Sequence, residues 1–136
     1  MLRYLLLLAA ALALASCGGP ISKDDCDKAR EAGNWDVSFA LSSGDAAKCP
    51  VLKNKVIALP GGHEENCGST QADIIYTVAE NPAVQNRCSL RFEEQCPDYQ
   101  LDCRYVDVTG TNSASGDCYY KVGNLSCGYA VSWTKQ

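Results

Sequence analysis

The chain of 136 residues has little of the chemistry by which enzymes and nucleic-acid-binding proteins are recognised. Its single histidine, His63, belongs to no H-E-x-x-H zinc motif, and no G-x-S-x-G turn presents a nucleophilic serine. No glycine-rich pattern for holding a phosphate occurs. The formal net charge is −4, so the basic surface that binds a nucleic-acid backbone is missing. We therefore predict a protein that is not an enzyme and that takes no cofactor, no metal and no nucleic acid.

Long hydrophobic runs are also absent, with one exception at the N-terminus. There, 14 of the first 16 residues are apolar, and a single positive charge, Arg3, precedes the run. The uninterrupted part, residues 5–15, is about 11 residues long, whereas a membrane-spanning helix needs about 20. The segment therefore predicts an export signal and not a membrane-spanning helix.

The apolar run ends in Leu14-Ala15-Ser16-Cys17, which resembles the lipobox of bacterial lipoprotein precursors. This resemblance covers residues 1–17 and implies cleavage before Cys17, a diacylglyceryl group on its sulfur and commonly an acyl chain such as palmitate on its amine. Gly18 follows, whereas in enterobacterial members an Asp at that position retains the protein at the inner membrane, so the resemblance favours the outer membrane. The alternative is cleavage after Ala15 by the ordinary signal protease, which leaves Cys17 as a free thiol.

These features divide the chain into a signal peptide, residues 1–16, a tether, residues 17–22, and one domain, residues 23–136. The 120 residues that follow the signal peptide can bury one hydrophobic core but are too few for two conventional domains. The membrane, reached through the lipid anchor, is one expected partner. An unknown envelope protein, peptide or glycan is the other.

No two of the nine cysteines are spaced C-x-x-C, which excludes the usual thiol–disulfide exchange motif and the paired knuckles of a structural zinc site. Without Cys17 an even eight remain in an exported chain, a number typical of four disulfides. These eight are Cys26, Cys49, Cys67, Cys88, Cys96, Cys103, Cys118 and Cys127.

As a single pairing we predict Cys118 with Cys127. A four-residue turn over residues 121–124 would place these two cysteines directly opposite each other on neighbouring strands. A two-residue turn at Gly123-Asn124 would instead oppose Tyr120 and Cys127.

Local patterns predict one short helix followed by strands. Ser22 fits an N-cap and Asp25 the capping-box position, so a helix is expected over residues 23–32. From Trp35 onwards the dominant period is two, which is typical of half-buried strands. Alternation occurs over residues 35–42, 88–93, 101–105, 118–122 and 125–134, and more weakly over 51–59 and 73–79, the last of which also fits a helix. Loops are predicted over residues 42–50, 60–71, 80–86, 96–100 and 109–115.

This order of elements favours an all-β fold, a small antiparallel meander closed as a barrel or sandwich, with a short N-terminal helix and four disulfides. The inward phase of the strands holds Cys88, Cys103, Cys118 and Cys127, together with Leu90, Tyr105, Tyr120 and Tyr129. Glu93 and Glu94 are interpreted as exposed charges at a strand edge and loop.

The outward phase brings aromatic and cationic side chains together. Tyr119 and Lys121 share one strand and Arg104 lies on another, so these three residues are our candidates for contact with a partner.

Three function classes fit the sequence. The first is a membrane-anchored, non-enzymatic binding or structural module of the cell envelope. The second is an inhibitor of an envelope or extracellular hydrolase of lysozyme type, since small disulfide-bonded β-domain lipoproteins include such inhibitors. The third is a hydrolase that uses His63.

Overall fold

The computed structural model describes residues 21–61 and 69–136, which form one helix and seven strands. Cys17, His63 and Cys67 lie outside the described residues, so predictions about them stay predictions. The elements are α1 (Lys23–Arg30), β1 (Gly33–Ser43), β2 (Lys55–Leu59), β3 (Ser69–Thr77), β4 (Arg87–Gln95), β5 (Gln100–Gly110), β6 (Ser113–Val122) and β7 (Leu125–Lys135).

Helix α1 begins where the sequence indicates and ends two residues early. The Ser22 hydroxyl accepts a hydrogen bond from the Asp25 amide at 3.1 Å, which satisfies one of the free amides of the first turn. The helix ends at Arg30, and beyond it the Lys135 ammonium donates to the Glu31 carbonyl at 2.8 Å. In the described ranges no helix combines the length and the apolar character that crossing a bilayer requires.

The strands form a single antiparallel sheet in the order β2-β1-β7-β6-β5-β4-β3. Strands that follow one another in the chain are paired, except that β2 and β3 form the two edges of the sheet and β1 pairs with β7. The sheet curls into a half-barrel, and its two edges meet where Gly61 and Ala72 exchange backbone hydrogen bonds of 3.2 and 3.3 Å. This architecture confirms the predicted all-β antiparallel meander and shows β3, not a helix, at residues 69–77.

The concave face of the sheet holds the core. Its largest fully buried side chains include Trp35, Trp133 and Phe92, and the Phe92 and Trp133 rings meet edge to face at 5.8 Å. At one end of the strands, here called the helix end, α1 packs against β3 and β5. At the other, the loop end, the Tyr129 hydroxyl donates to the Pro50 carbonyl at 2.6 Å and holds segment 44–54 in place.

Three disulfides connect these parts: Cys26–Cys88, Cys49–Cys127 and Cys103–Cys118. The first attaches α1 to β4, the second attaches segment 44–54 to β7, and the third joins β5 to β6. Cys96 is disulfide-bonded as well. The four inward cysteines of the strands are all buried, as predicted.

The predicted pairing of Cys118 with Cys127 is wrong. The β6–β7 hairpin has a two-residue turn, so Val122 lies opposite Leu125 and Tyr120 lies opposite Cys127. Gly123 has a φ of +54°, a value that glycine adopts without steric cost in such turns. In this register Cys118 is diagonal to Cys127, and it forms its disulfide with Cys103 on the other neighbouring strand, β5.

Two further expectations fail in β5 and β6. The predicted loop at residues 109–115 is a hairpin instead, because Gly110 pairs with Ser113 and only Thr111 and Asn112 form the turn. Tyr105, expected inside, is 65% exposed. A β-bulge explains this exposure. Asp102 pairs with Tyr119 and Tyr105 pairs with Asp117, so two residues of β5, Cys103 and Arg104, lie opposite one residue of β6.

Candidate functional site

The β5 bulge brings two tyrosines together on the convex face of the sheet. Tyr105 and Tyr119 are 65% and 38% exposed, and their rings meet edge to face with centroids 6.3 Å apart. Arg104, exposed like Tyr105, also lies on this face, and Lys121 lies two residues beyond Tyr119 on the same strand. We call Arg104, Tyr105, Tyr119 and Lys121 the outer patch.

The structure therefore places all three predicted contact residues on one face and adds Tyr105 to them. Alternation alone predicted an inward Tyr105, because Leu101, Cys103 and Tyr105 follow one another at every second position without a break. The residues that directly follow Tyr105 do indicate the bulge. Val106 and Val108 are buried, and they continue the apolar pattern in the opposite phase, which is what a bulge does to a strand.

Beneath the outer patch, Glu93 is 8% exposed although its side chain lies on the convex face. Its carboxylate accepts hydrogen bonds from Gln95 at 2.7 Å, Gln100 at 3.3 Å, Arg91 at 3.3 Å and Arg104 at 3.4 Å. The expectation of an exposed Glu93 is wrong, because side chains of two strands converge over it.

These contacts lower the pKa of Glu93 from its ordinary value of 4.5. The hydrogen bond from Gln95 contributes most, and the positive charges of Arg104 and Arg91 add to it, against burial, which raises the pKa. The Arg104 guanidinium is also bound to Asp102 at 2.9 Å. With two carboxylates on it, Arg104 is held in one orientation and its charge is compensated, so the patch suits a partner with polar and apolar groups better than a phosphate.

Glu93→Gln should make the domain less stable at neutral pH but not in acid. Because folding lowers the Glu93 pKa, the carboxylate stabilises the folded state above about pH 4.5, and this contribution is lost as the pH falls through the folded-state value. The free energies of unfolding of wild type and Glu93→Gln, measured in urea, should therefore differ at pH 7 and converge towards pH 3. Glu80→Gln, at an exposed site, is the control and should follow wild type at both pH values. A gap that stays constant with pH would contradict the assignment.

A second charged cluster lies inside the curled sheet. Glu94 is 1% exposed and accepts hydrogen bonds from the Lys55 ammonium at 3.0 and 3.3 Å, and the Tyr99 hydroxyl donates to the same carboxylate. The Tyr99 ring stacks on Tyr120 with centroids 5.2 Å apart. The prediction of an exposed Glu94 is wrong. The buried position of Glu94 was predictable, because Leu90, Phe92 and Glu94 alternate along β4 and so share its inner face. Its partner Lys55 lies 39 residues earlier, and no local pattern indicates it.

The interior cluster is a hydrogen-bonded ion pair built on Glu94 and Lys55. Over residues 21–61 and 69–136, no three side chains of the metal-binding types gather closely enough to hold an ion. The cluster closes the interior of the sheet with a hydrogen-bonded charge pair, which a buried carboxylate requires.

Compared with known proteins, the chain matches no family model, no curated protein and no solved structure.

Proposed function

We propose that the protein is a lipid-anchored lipoprotein of the cell envelope, at the outer membrane, and that it binds an envelope partner without catalysis. Leu14-Ala15-Ser16-Cys17, with its resemblance to the lipobox, supports the anchor. The observation that carries the binding role is the exposed ring pair of Tyr105 and Tyr119 beside Arg104. Tyrosine and arginine are enriched among the residues that dominate binding energy in protein interfaces, so a protein partner is favoured over a peptide or glycan.

The outer patch is preorganised for binding. Its residues lie on two paired strands, and the Cys103–Cys118 disulfide on the opposite face joins those strands directly beneath the patch. Arg104 is already fixed by Glu93 and Asp102, so little side-chain freedom is lost when a partner arrives. Rigid presentation of tyrosine and arginine improves affinity because the ordering cost is met before binding.

Truncating the tyrosines should weaken capture of the partner. The lipid-free domain, immobilised and exposed to detergent-solubilised envelope, should retain a specific protein. Tyr105→Ala and Tyr119→Ala should each lower its affinity about tenfold, since loss of a central aromatic contact costs roughly 1.4 kcal/mol or more. The control is Val56→Ala, a 46% exposed site on the convex face of β2, which should bind as wild type. Full capture by the double tyrosine variant would contradict the role of the outer patch.

The identity of the captured molecule separates the function classes. A captured hydrolase whose activity falls on binding would replace the general binding role by that of a hydrolase inhibitor. A panel of hydrolase substrates tests the non-enzymatic part of the proposal, with His63→Ala as the matched variant. Turnover by lipid-free protein that disappears in His63→Ala would overturn it.

A further inference from the structure

The described chain starts at Ile21, at the helix end of the sheet. Ile21 packs against the core and lines a depression of about 620 Å³ together with Val84, Arg87 and Val108. Four residues, 17–20, precede Ile21 after the proposed cleavage. A fully extended chain spans at most about 3.6 Å per residue, so Ile21 lies within roughly 14 Å of the Cα atom of Cys17. A lipid on Cys17 therefore brings the helix end to the headgroup region and leaves no room for the domain to stand away from it.

The helix end exposes apolar side chains where the bilayer would be. Val78 and Val84, in the connection between β3 and β4, are 66% and 57% exposed. The connection is well defined, because the Asn81 carbonyl accepts from the Val84 amide at 2.9 Å and the Asn86 side chain accepts from the Ala79 amide at 3.0 Å. Two valines are thus presented on a fixed turn beside the point at which the chain emerges.

We propose that this end of the molecule, formed by Ile21, Val78 and Val84, contacts the membrane interface. The inference rests on the lipid anchor of the proposed function. The expected ligand is a zwitterionic lipid surface, because Arg87, the cation lining the depression, is paired with Asp107 at 2.6 Å, and helix α1 at the same end balances three basic side chains with three aspartates. Valine side chains enter the boundary between headgroups and acyl chains, where their burial is favourable.

This contact fixes the orientation of the whole domain. Strand β7 runs the length of the sheet over the 11 residues from Leu125 to Lys135 and, at the tilt usual for curled sheets, separates the two ends by about 25 Å. The loop end, with Val51 in segment 44–54, therefore faces away from the membrane. The outer patch lies on the side wall between the two ends and stays open to a partner.

A tryptophan placed at each end tests the orientation. The mature lipoprotein carrying Val84→Trp, or Val51→Trp as the control, is reconstituted into phosphatidylcholine vesicles with brominated acyl chains, which quench nearby tryptophan. Val51 is 96% exposed, so a tryptophan there is as accessible as a surface site can be. The native Trp35 and Trp133 are fully buried and give the same background in both variants. The added emission should be largely lost in Val84→Trp and retained in Val51→Trp.

Two further readouts on the same samples separate the contact from the anchor. Sedimentation with vesicles and the mass of the N-terminal peptide report the lipid on Cys17. Protein that sediments and carries the lipid, but whose Val84→Trp emission is not quenched, would overturn the contact while the anchor stands. Equal quenching of both variants would overturn the orientation. A peptide that begins at Ser16 with an unmodified Cys17 would overturn the anchor and the contact with it.

Discussion

Replacing both cysteines of the Cys49–Cys127 bridge with alanine should lower the free energy of unfolding by about 4.5 kcal/mol, against about 3 kcal/mol for Cys103–Cys118. The first bridge closes a separation of 78 residues and the second a separation of 15. A longer closed loop removes more conformational freedom from the unfolded chain, and the logarithmic dependence on loop length gives a difference of about 1.5 kcal/mol.

Urea unfolding of non-reduced protein measures both losses. The two double-alanine variants are matched, because all four cysteines are buried and each variant creates a comparable gap in the core. Cys26–Cys88, with a separation of 62 residues, should resemble Cys49–Cys127 and serves as the internal check. A larger loss for Cys103–Cys118 than for the two long-range bridges would show that native contacts, and not chain entropy, determine their contributions.

Gly116→Ala should destabilise the domain by about 3 kcal/mol, at the upper end of the usual cost of overpacking. A Cβ atom on Gly116 would lie 2.0 Å from the Tyr105 carbonyl oxygen and 2.7 Å from the Cα atom of Val106. Both are backbone atoms of the paired strand β5, so no side chain can move aside, and the bulge itself must shift.

The neighbouring Ser115→Ala is the control for Gly116→Ala. Ser115 is exposed on the same strand, and its replacement should change stability by less than about 0.5 kcal/mol. Because the strain falls on the backbone of Tyr105, Gly116→Ala should also weaken partner capture more than Ser115→Ala does. A stability loss below about 1 kcal/mol would mean that the two strands do not approach as closely as described.

Much of the fold was predictable because its signals are local. The N-cap at Ser22 and the alternation along β1, β4 and β7 depend on residues within a few positions of one another, and the structure confirms them. The contact candidates Arg104, Tyr119 and Lys121 were likewise placed on one face by alternation alone.

The parts that failed depend on how strands are joined. Whether Cys118 meets Cys127 or Cys103 is decided by the length of one turn, and the sequence Gly123-Asn124 allows more than one. Tyr105 was misplaced because the alternation that starts at Leu101 runs unbroken through it, and the change of phase at the bulge shows only in Val106 and Val108. The interior ion pair joins Glu94 to Lys55, 39 residues earlier, so its existence depends on the completed fold.

The pairing of β1 with β7 also determines when the protein can fold. Phe39 pairs with Val131, so the first strand has one neighbour near it in the chain and the other some 90 residues away. During synthesis the pairing of β1 with β7 therefore forms only after every other described strand has emerged, and contacts between such distant residues form slowly. The core therefore closes only after the last strand has been synthesised, so the proposed export would act on a chain whose sheet is still open.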